Sequence, residues 1–240
     1  MARDLMFQQE IKDTVQQAYA AIASGGGESV ARQLYSDQEL AEVPSGAVEW
    51  ALGVGNPVRY ARLQPGQVVL DVGSGGGVDT ILAAKRVGPQ GRAIGLDVLE
   101  EMCERGRGHA AQAGVEGWTE FLRGEMEAIP LPDESVDVVI SNGVLNLSAR
   151  KSRALAEIYR VLGPGGRICM ADLTVEGELP PEVATTRAPG LGEWRGRWRS
   201  VSSPANCKGQ GSPTSGSGAT GRSGSTRPPC IRCSPLRSSM

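Results

Sequence analysis

The sequence predicts an α/β protein of the Rossmann-like class, built on a parallel sheet of about five strands. From residue 66 onward, short apolar runs alternate with stretches of helical character about 10–15 residues long, which is typical of strand–helix–strand units. The most apolar run, Val136–Ser141, has the composition of a strand buried on both faces, as parallel sheets require. A glycine-rich turn, "GSGGG", directly follows the first run, Val68–Val72, and indicates a strand-to-helix corner.

Local signals set the bounds of these elements. Gly114 follows one predicted helix, and Gly163 with Pro164 ends another. Upstream, apolar residues at helical spacing predict a helix over residues 8–23, and a second short helix is expected over residues 29–35. The predicted strands are Val68–Val72, Arg92–Asp97, Trp118–Arg123, Val136–Ser141 and Arg167–Thr174, and the predicted helices between them are Gly77–Val87, Leu99–Ala113 and Ser152–Leu162.

Composition divides the chain into three parts. The 240 residues are 40% hydrophobic and 22% charged, which is enough apolar material for a packed core, and the net charge is −2. From residue 190 onward one acid, Glu193, faces seven Arg and one Lys, so this end is basic and the rest acidic. We predict a helical lead-in at 1–65, a cofactor-binding domain at 66–185, and a disordered basic Ser/Gly/Arg-rich tail at 186–240, since the tail has few large apolar residues.

The sequence also favours a cytoplasmic protein without a membrane partner. No apolar run reaches the roughly 18 residues that a membrane-spanning helix needs. The polar start of the chain resembles neither a secretory signal nor a transit peptide. The five cysteines are odd in number and unevenly spaced, which favours reduced thiols over a disulfide framework. We further expect a monomer that acts on a small molecule, with no bound metal.

The glycine turn is expected to hold S-adenosylmethionine. The dinucleotide pattern G-x-G-x-x-G fails here, because its third position falls on Val78 or on Thr80. The pattern present is D-x-G-x-G-x-G, which begins with Asp71. A carboxylate under the turn is poorly placed for a pyrophosphate but suits a cation such as an amino acid ammonium group. Asp97, at the end of the second strand, can accept hydrogen bonds from two ribose hydroxyls, which fits NAD and S-adenosylmethionine equally.

Further candidates follow the third and fourth strands. Glu125 and Met126 lie in a loop that can cover an adenine ring, and Asn142 stands at the carboxyl edge of the sheet, where α/β folds bind ligands. His109, the single histidine, is expected at the surface. No general base is assigned, because a soft or deprotonated acceptor needs none. The predicted cofactor-binding residues are Asp71, Gly73, Ser74, Gly75, Gly77, Asp97, Val98, Glu125, Met126 and Asn142, and the acceptor-side candidates are Asn56, Asn142 and Asn146.

These residues resemble the class I S-adenosylmethionine-dependent methyltransferases, and within them the arsenite methyltransferase family. Three segments carry the resemblance, and "VQQAYAAIA" near the start looks like the first helix of the family, so the resemblance covers roughly residues 8–185. The three segments are "GNPVRYARLQPGQVVLDVGSGGGVDTILAAKRVGPQGRAIGLDVLEEM", "EAIPLPDESVDVVISNGVLNL" and "EIYRVLGPGGRICMADL". The resemblance implies methyl transfer to a small acceptor, with arsenite held by cysteine thiolates.

The chain departs from that family at the thiolates. Two of the family's cysteine positions are occupied here by Val54, in "GVGNP", and by Gly143, in "SNGV". Trivalent arsenic is soft and selects soft ligands, which valine and glycine do not supply. Cys103 and Cys169 are predicted to be small buried residues rather than replacements. We therefore expect a different small acceptor, or weak or absent arsenic chemistry.

The end of the fold also departs from the family. The family sheet has two further antiparallel strands, six and seven, and the sequence predicts neither, so strand five would be an unpaired edge. A reading-frame shift near residue 186 is one explanation, since "GLGEWRGRW" moved by one base permits a family-like Ala-Trp segment. An authentic basic tail is the other. Two alternatives to an active enzyme remain open: a cofactor-binding but inactive methyltransferase and, less favoured, nucleic-acid binding through the tail segment "EWRGRWR".

Overall fold

The computed structural model describes residues 26–148 and 150–173, together with the backbone of residues 230–235. Six strands form one sheet in the order β3-β2-β1-β4-β5-β6. The first five strands are mutually parallel, as predicted, and β6 is antiparallel to β5. The strands are β1 Val68–Val72, β2 Arg92–Asp97, β3 Thr119–Arg123, β4 Val136–Asn142, β5 Leu162–Asp172 and β6 Cys230–Pro235.

Seven α-helices flank the sheet or precede it within the described ranges. Four are short and come before β1; the predicted helix over 29–35 is one of them, whereas the predicted helix over 8–23 lies outside the described residues. None of the described helices is long and apolar enough to cross a bilayer. The helices are α1 Gly27–Leu34, α2 Asp37–Ala41, α3 Ser45–Val48, α4 Pro57–Ala61, α5 Val78–Val87, α6 Glu100–Gln112 and α7 Lys151–Val161.

The two faces of the sheet bury separate apolar clusters. On one face Val69 and Ile140 belong to a cluster with α5, whose residue Ile81 is fully buried. On the other face Leu70 and Val139 pack with Ile158 of α7. Alternate residues of the central strands therefore point to opposite helix layers, which is why these strands read as continuous apolar runs.

The centre of the sheet is the seam between β1 and β4. Val69 of β1 pairs with Ala93 of β2 on one side and with Val138 of β4 on the other. The chain order of the strands reverses at this seam, and ligands of open α/β sheets bind beyond the carboxyl ends of the strands at such a point. The glycine turn after β1 and Asn142 at the end of β4 both lie there.

The outer end of the sheet corrects one expectation. Strand β5 is not an unpaired edge, because Cys230–Pro235 pairs with it in antiparallel register, from Arg167 opposite Pro235 to Asp172 opposite Cys230. This strand was not predicted, since the amino-acid sequence of the tail lacks the apolar alternation of a strand. Strand β5 also starts earlier than predicted, at Leu162, and takes in the glycines that were expected to form a loop. The rest of the predicted tail, including "EWRGRWR", lies outside the described residues.

Candidate functional site

The glycine turn, residues 73–77, is shaped by backbone geometry that favours glycine. Gly73, Gly75 and Gly77 have φ values of +78°, +50° and +90°. A Cβ at Gly73 would lie 2.5 Å from a methyl carbon of Val144, so the turn also needs a bare backbone there. A Cβ at Gly75 would have no atom within 4 Å, which leaves open space in front of the turn.

Asp97 ties the turn to the end of β2. Its Oδ2 accepts a hydrogen bond from the Gly75 amide at 2.9 Å, and its Oδ1 accepts one from the Leu99 amide, also at 2.9 Å. Burial raises the pKa of Asp97, and amide hydrogen bonds from Leu99, Gly75 and Val98 oppose that rise. Each carboxylate oxygen keeps a further lone pair, so Asp97 can still accept hydroxyl hydrogens from a ligand.

Two more carboxylates are buried beside the turn. Asp71 accepts a hydrogen bond from the Thr80 hydroxyl at 2.7 Å, and burial, reinforced by the nearby Asp79 carboxylate, raises its pKa well above the usual range. Burial also raises the pKa of Asp79, to about 6, while hydrogen bonds from Asn142 and Tyr35 hold it down. Sequence reasoning missed Asp79 as a site residue, although "GVDT" follows the glycines directly.

Asp71 and Asp79, which are buried, and Asp97, which is partly buried, lack a cationic partner of their own. No ion pair among the described residues involves Asp71, Asp79 or Asp97. Burial without a cationic partner disfavours the charged forms of these acids, and a bound cation would favour those forms again. Together with the open space at Gly75 and the spare lone pairs of Asp97, this arrangement fits a ligand that carries both a cationic group and a ribose.

Asn142 does not face an open pocket with its polar atoms. Its Oδ1 accepts hydrogen bonds from the Val54 and Gly55 amides at 2.8 and 3.1 Å. Its Nδ2 lies within hydrogen-bond distance of the Gly55 carbonyl, Asp79 and the Tyr35 hydroxyl, at 2.8, 2.9 and 3.1 Å. The Tyr35 hydroxyl in turn donates to Asp79 at 2.9 Å. These contacts with protein groups occupy both the donor and the acceptor of the Asn142 amide. The predicted contact of Asn142 with a ligand stays a prediction.

The other two acceptor-side candidates stabilise local structure. The Asn56 side chain caps α4 by accepting from the Arg59 amide at 3.0 Å, and it donates to Glu39 at 3.1 Å. Although partial burial raises the pKa of Glu39, hydrogen bonds from Arg59, Ser36 and Asn56 lower it to about 2. Asn146 donates to Asp172 at 2.7 Å, which holds the turn after β4 against the end of β5.

The remaining predicted cofactor residues lie around the turn. The Ser74 hydroxyl is buried without a hydrogen-bond partner in the described structure, 2.8 Å from where a Cβ of Gly95 would lie, so it points beneath the turn.

The loop after β3 contains the two candidates for adenine contact. Glu125 pairs through its backbone with Ala128, and Met126 packs against the apolar cluster on the α7 face. The amide of Gly124 donates to the Asp97 carbonyl at 2.9 Å, which brings this loop beside Asp97.

His109 corrects another expectation, because it is buried rather than at the surface. Its Nδ1 lies 2.8 Å from the carbonyl oxygen of Gly76, inside the glycine turn. A Cβ at Gly46, in α3, would lie 2.9 Å from its Nε2, so the imidazole fills the space between α3 and the turn. Spacing along α6 alone did not reveal this, since the partner is in a distant loop.

The family's two cysteine positions come together in space. A Cβ at Gly143 would lie 3.5 Å from a methyl carbon of Val54, so the pair forms a small apolar surface beside the glycine turn.

The two cysteines of the described core differ in state. Cys103 is a buried free thiol, as predicted, and burial raises its pKa. Cys169 is buried but disulfide-bonded, so the expectation of reduced thiols holds for Cys103 alone of these two. Within the described ranges, no group of His, Cys, Asp or Glu side chains is arranged so that it could hold a metal ion.

The fold and the glycine turn define a Rossmann-like protein with a nucleoside-type cofactor site at the β1–β4 seam. The family model described as "Methyltransferase domain" matches residues 63–200, so the chain belongs to the methyltransferase domain family. The solved structure of an arsenic(III) S-adenosylmethionine methyltransferase from Chlamydomonas reinhardtii is similar, with a TM-score of 0.57 and 39% sequence identity; the match covers 61% of this chain and 51% of that chain.

Two curated relatives match the same region. An arsenite methyltransferase from Halobacterium salinarum is 44% identical over 149 residues, which is 62% of this chain and 38% of the relative. A ubiquinone/menaquinone biosynthesis C-methyltransferase from a Marinomonas species is 37% identical over 128 residues, 52% of this chain and 51% of the relative. The chain thus spans about half, or less, of the length of these relatives. The family and the solved neighbour imply S-adenosylmethionine as the cofactor, in agreement with the sequence prediction.

Proposed function

We propose that this chain binds S-adenosylmethionine over the glycine turn and transfers its methyl group to a small acceptor. The observation that carries the proposal is a set of three carboxylates, the buried Asp71 and Asp79 and the partly buried Asp97, without a cationic partner among the described residues and placed around a turn with open space at Gly75. A dinucleotide would bring a pyrophosphate, which these acids repel. S-adenosylmethionine instead brings a positively charged ammonium group and a ribose, and the carboxylates around the turn can bind both.

Each acid has a separate part in this proposal. Asp71 and Asp79 lie under the turn, where the ammonium group of the cofactor would favour the ionised forms that burial disfavours and would be held by opposite charge. Asp97 accepts the ribose hydroxyls with the lone pairs that Gly75 and Leu99 leave free. Glu125 and Met126 remain our candidates for the edge and face of the adenine.

The protein's task in the reaction is alignment. When bound, S-adenosylmethionine would supply a methyl group: its carbon–sulfur bond breaks onto sulfur as an electron pair of the acceptor forms the new bond, and an acceptor carbon then loses its proton to water. The chain contributes by holding acceptor, carbon and sulfur in line, a contribution worth several orders of magnitude in rate. Asn56 and Asn146 fix the loops on the acceptor side through their contacts with Glu39 and Asp172.

We further propose that the acceptor is an organic molecule rather than arsenite. The surface formed by Val54 and Gly143 offers no donor atom for a soft metalloid, because it presents only methyl groups and a glycine. An apolar surface suits a carbon acceptor, and relatives named as quinone-biosynthesis C-methyltransferases match this chain as well.

The test is to measure binding and turnover separately. We expect S-adenosylhomocysteine to bind in calorimetry, and labelled S-adenosylmethionine to give no product with arsenite. A quinol lacking its ring methyl group is the organic probe. Robust arsenite methylation by the purified chain would overturn the proposed acceptor class, and absence of S-adenosylhomocysteine binding would overturn the cofactor. Binding without turnover of either acceptor would support the inactive-enzyme alternative instead.

A pair of double variants sharpens the acceptor test. In V54C/G143C the two sulfurs would stand next to each other, so arsenite binding should appear in calorimetry where the wild type has none. The matched control is V54S/G143S, which carries the same strain at residue 143, where φ is +76°, but no thiol. Arsenite binding by the serine control would show that the introduced thiols are not the cause of arsenite binding.

A further inference from the structure

Asn142 is surrounded by protein groups on every side of its amide. It is 9% exposed, and Asp79 and Tyr35 are 8% and 6% exposed, so the three form one buried polar cluster. A Cβ at Gly53 would lie 2.3 Å from the Asn142 Nδ2, so the chain at residues 53–56 wraps closely around this side chain. We call residues 53–56 the acceptor segment, because Val54 lies in it.

The cluster joins three parts of the molecule that are distant in sequence. Asn142 ends β4 and binds the backbone of the acceptor segment on one side. On the other side it donates to Asp79, in the first turn of α5, the helix that the glycine turn opens. Tyr35, which follows α1, closes the cluster through its hydroxyl.

From this geometry we propose that Asn142 is a positioning residue, which fastens the acceptor segment to the cofactor helix α5 through Asp79 and Tyr35. It acts on the acceptor through the Val54 and Gly55 amides and does not contact the cofactor. The distance between the surface at Val54 and Gly143 and the glycine turn is then set by this buried cluster. The role on the acceptor side rests on the proposed function. The contacts of Asn142 themselves can be tested without an acceptor.

The test exchanges the two partners. In Asn142→Asp the new carboxylate still accepts from the Val54 and Gly55 amides, but it places oxygen against the Asp79 carboxylate and the Gly55 carbonyl. In the reciprocal variant Asn142→Asp with Asp79→Asn, a donor again faces an acceptor between α5 and β4. We expect hydrogen exchange at the Val54 and Gly55 amides to be at least tenfold faster in the single variant. In the reciprocal variant exchange should slow again but stay faster than in the wild type, because the Gly55 carbonyl still faces an oxygen.

The control measurements separate positioning from general loosening. Amide exchange at Leu70, in β1, should be unchanged in both variants. Unchanged exchange at Val54 and Gly55 in Asn142→Asp, or no slowing of that exchange in the reciprocal variant, would overturn the proposal. If Asn142→Asp does not fold, Tyr35→Phe removes one hydroxyl of the cluster and should raise exchange at the same two amides severalfold. Absence of S-adenosylhomocysteine binding by the wild type would overturn the proposed function and leave the exchange result standing.

Discussion

The glycine turn and the acceptor segment lie side by side, yet different kinds of contact hold them. The turn is shaped mainly by backbone: the amides of Gly73 and Ser74 donate to the Leu96 carbonyl of β2, and its glycines have positive φ angles, while Asp97 and His109 add side-chain contacts. The acceptor segment is fixed by side chains from elsewhere, above all Asn142. A backbone-defined turn tolerates few substitutions, whereas a segment held by side chains can change its chemistry at Val54 while its path stays the same.

The largest effect should come from a change in the turn itself. Gly73→Ala places a methyl group 2.5 Å from a Val144 carbon at a φ of +78°, so the turn must move. We expect at least a hundredfold loss of S-adenosylhomocysteine affinity in calorimetry. Gly66→Ala is the matched control, because Gly66 has a φ of +85° but open space around its Cβ position. Equal losses in both variants would mean that the loss of affinity reflects general backbone strain, and not the contact of the turn with Val144.

A smaller effect is expected where a side chain meets the cofactor. Asp97→Asn keeps an oxygen for the Gly75 amide but removes the charge that attracts the ribose hydroxyls. Since a hydrogen bond to a charged group is worth about 1.5–3 kcal/mol, affinity for S-adenosylhomocysteine should fall roughly tenfold to hundredfold. Asp137→Asn makes the same change at an exposed acid whose Oδ2 accepts from Val68, at the opposite end of the sheet, and should leave affinity intact. An unaltered affinity in Asp97→Asn would remove Asp97 from the site.

The smallest effect concerns pH and stability. The pKa of Asp79 is raised by burial to about 6 in the folded chain, from an ordinary value of 3.8, so folding favours its protonated form. The free energy of unfolding therefore falls as pH rises from about 4 to 6, and Asp71 and Asp97 act in the same direction. The free energy of unfolding of Asp79→Asn should exceed that of the wild type by up to about 3 kcal/mol above pH 6 and by little at pH 4, measured by thermal melting.

A control variant and one contrary result test the prediction for Asp79→Asn. Glu104→Gln, at an exposed acid of α6, should melt like the wild type at every pH. A loss of stability in Asp79→Asn across the whole range would mean that the Tyr35 and Asn142 contacts need the charge. In that case the acceptor side would depend on the ionised state of Asp79 as much as the cofactor side does.

The same contrast explains what the sequence could predict. The bounds of β1 and β2 follow from local apolar runs, and the structure matches them residue for residue. The turn could be recognised because its pattern from Asp71 to Gly77 is contiguous. The Asn142 cluster could not, since Tyr35 and Asn142 meet only through the fold and each alone resembles an ordinary polar residue. Strand β6 was missed because its pairing depends on β5 and not on a pattern of its own.

The seam between β1 and β4 has a consequence for how the molecule assembles. Val69 and Val138 are neighbours across it, although two complete helix–strand units separate them along the chain. Such a non-local pairing is entropically slow to form, so the β1–β2–β3 half can assemble before the β4–β5 half docks. The glycine turn belongs to the first half and Asn142 to the second. A ligand that binds only the docked form stabilises it by mass action, so the melting temperature should rise with the concentration of S-adenosylhomocysteine.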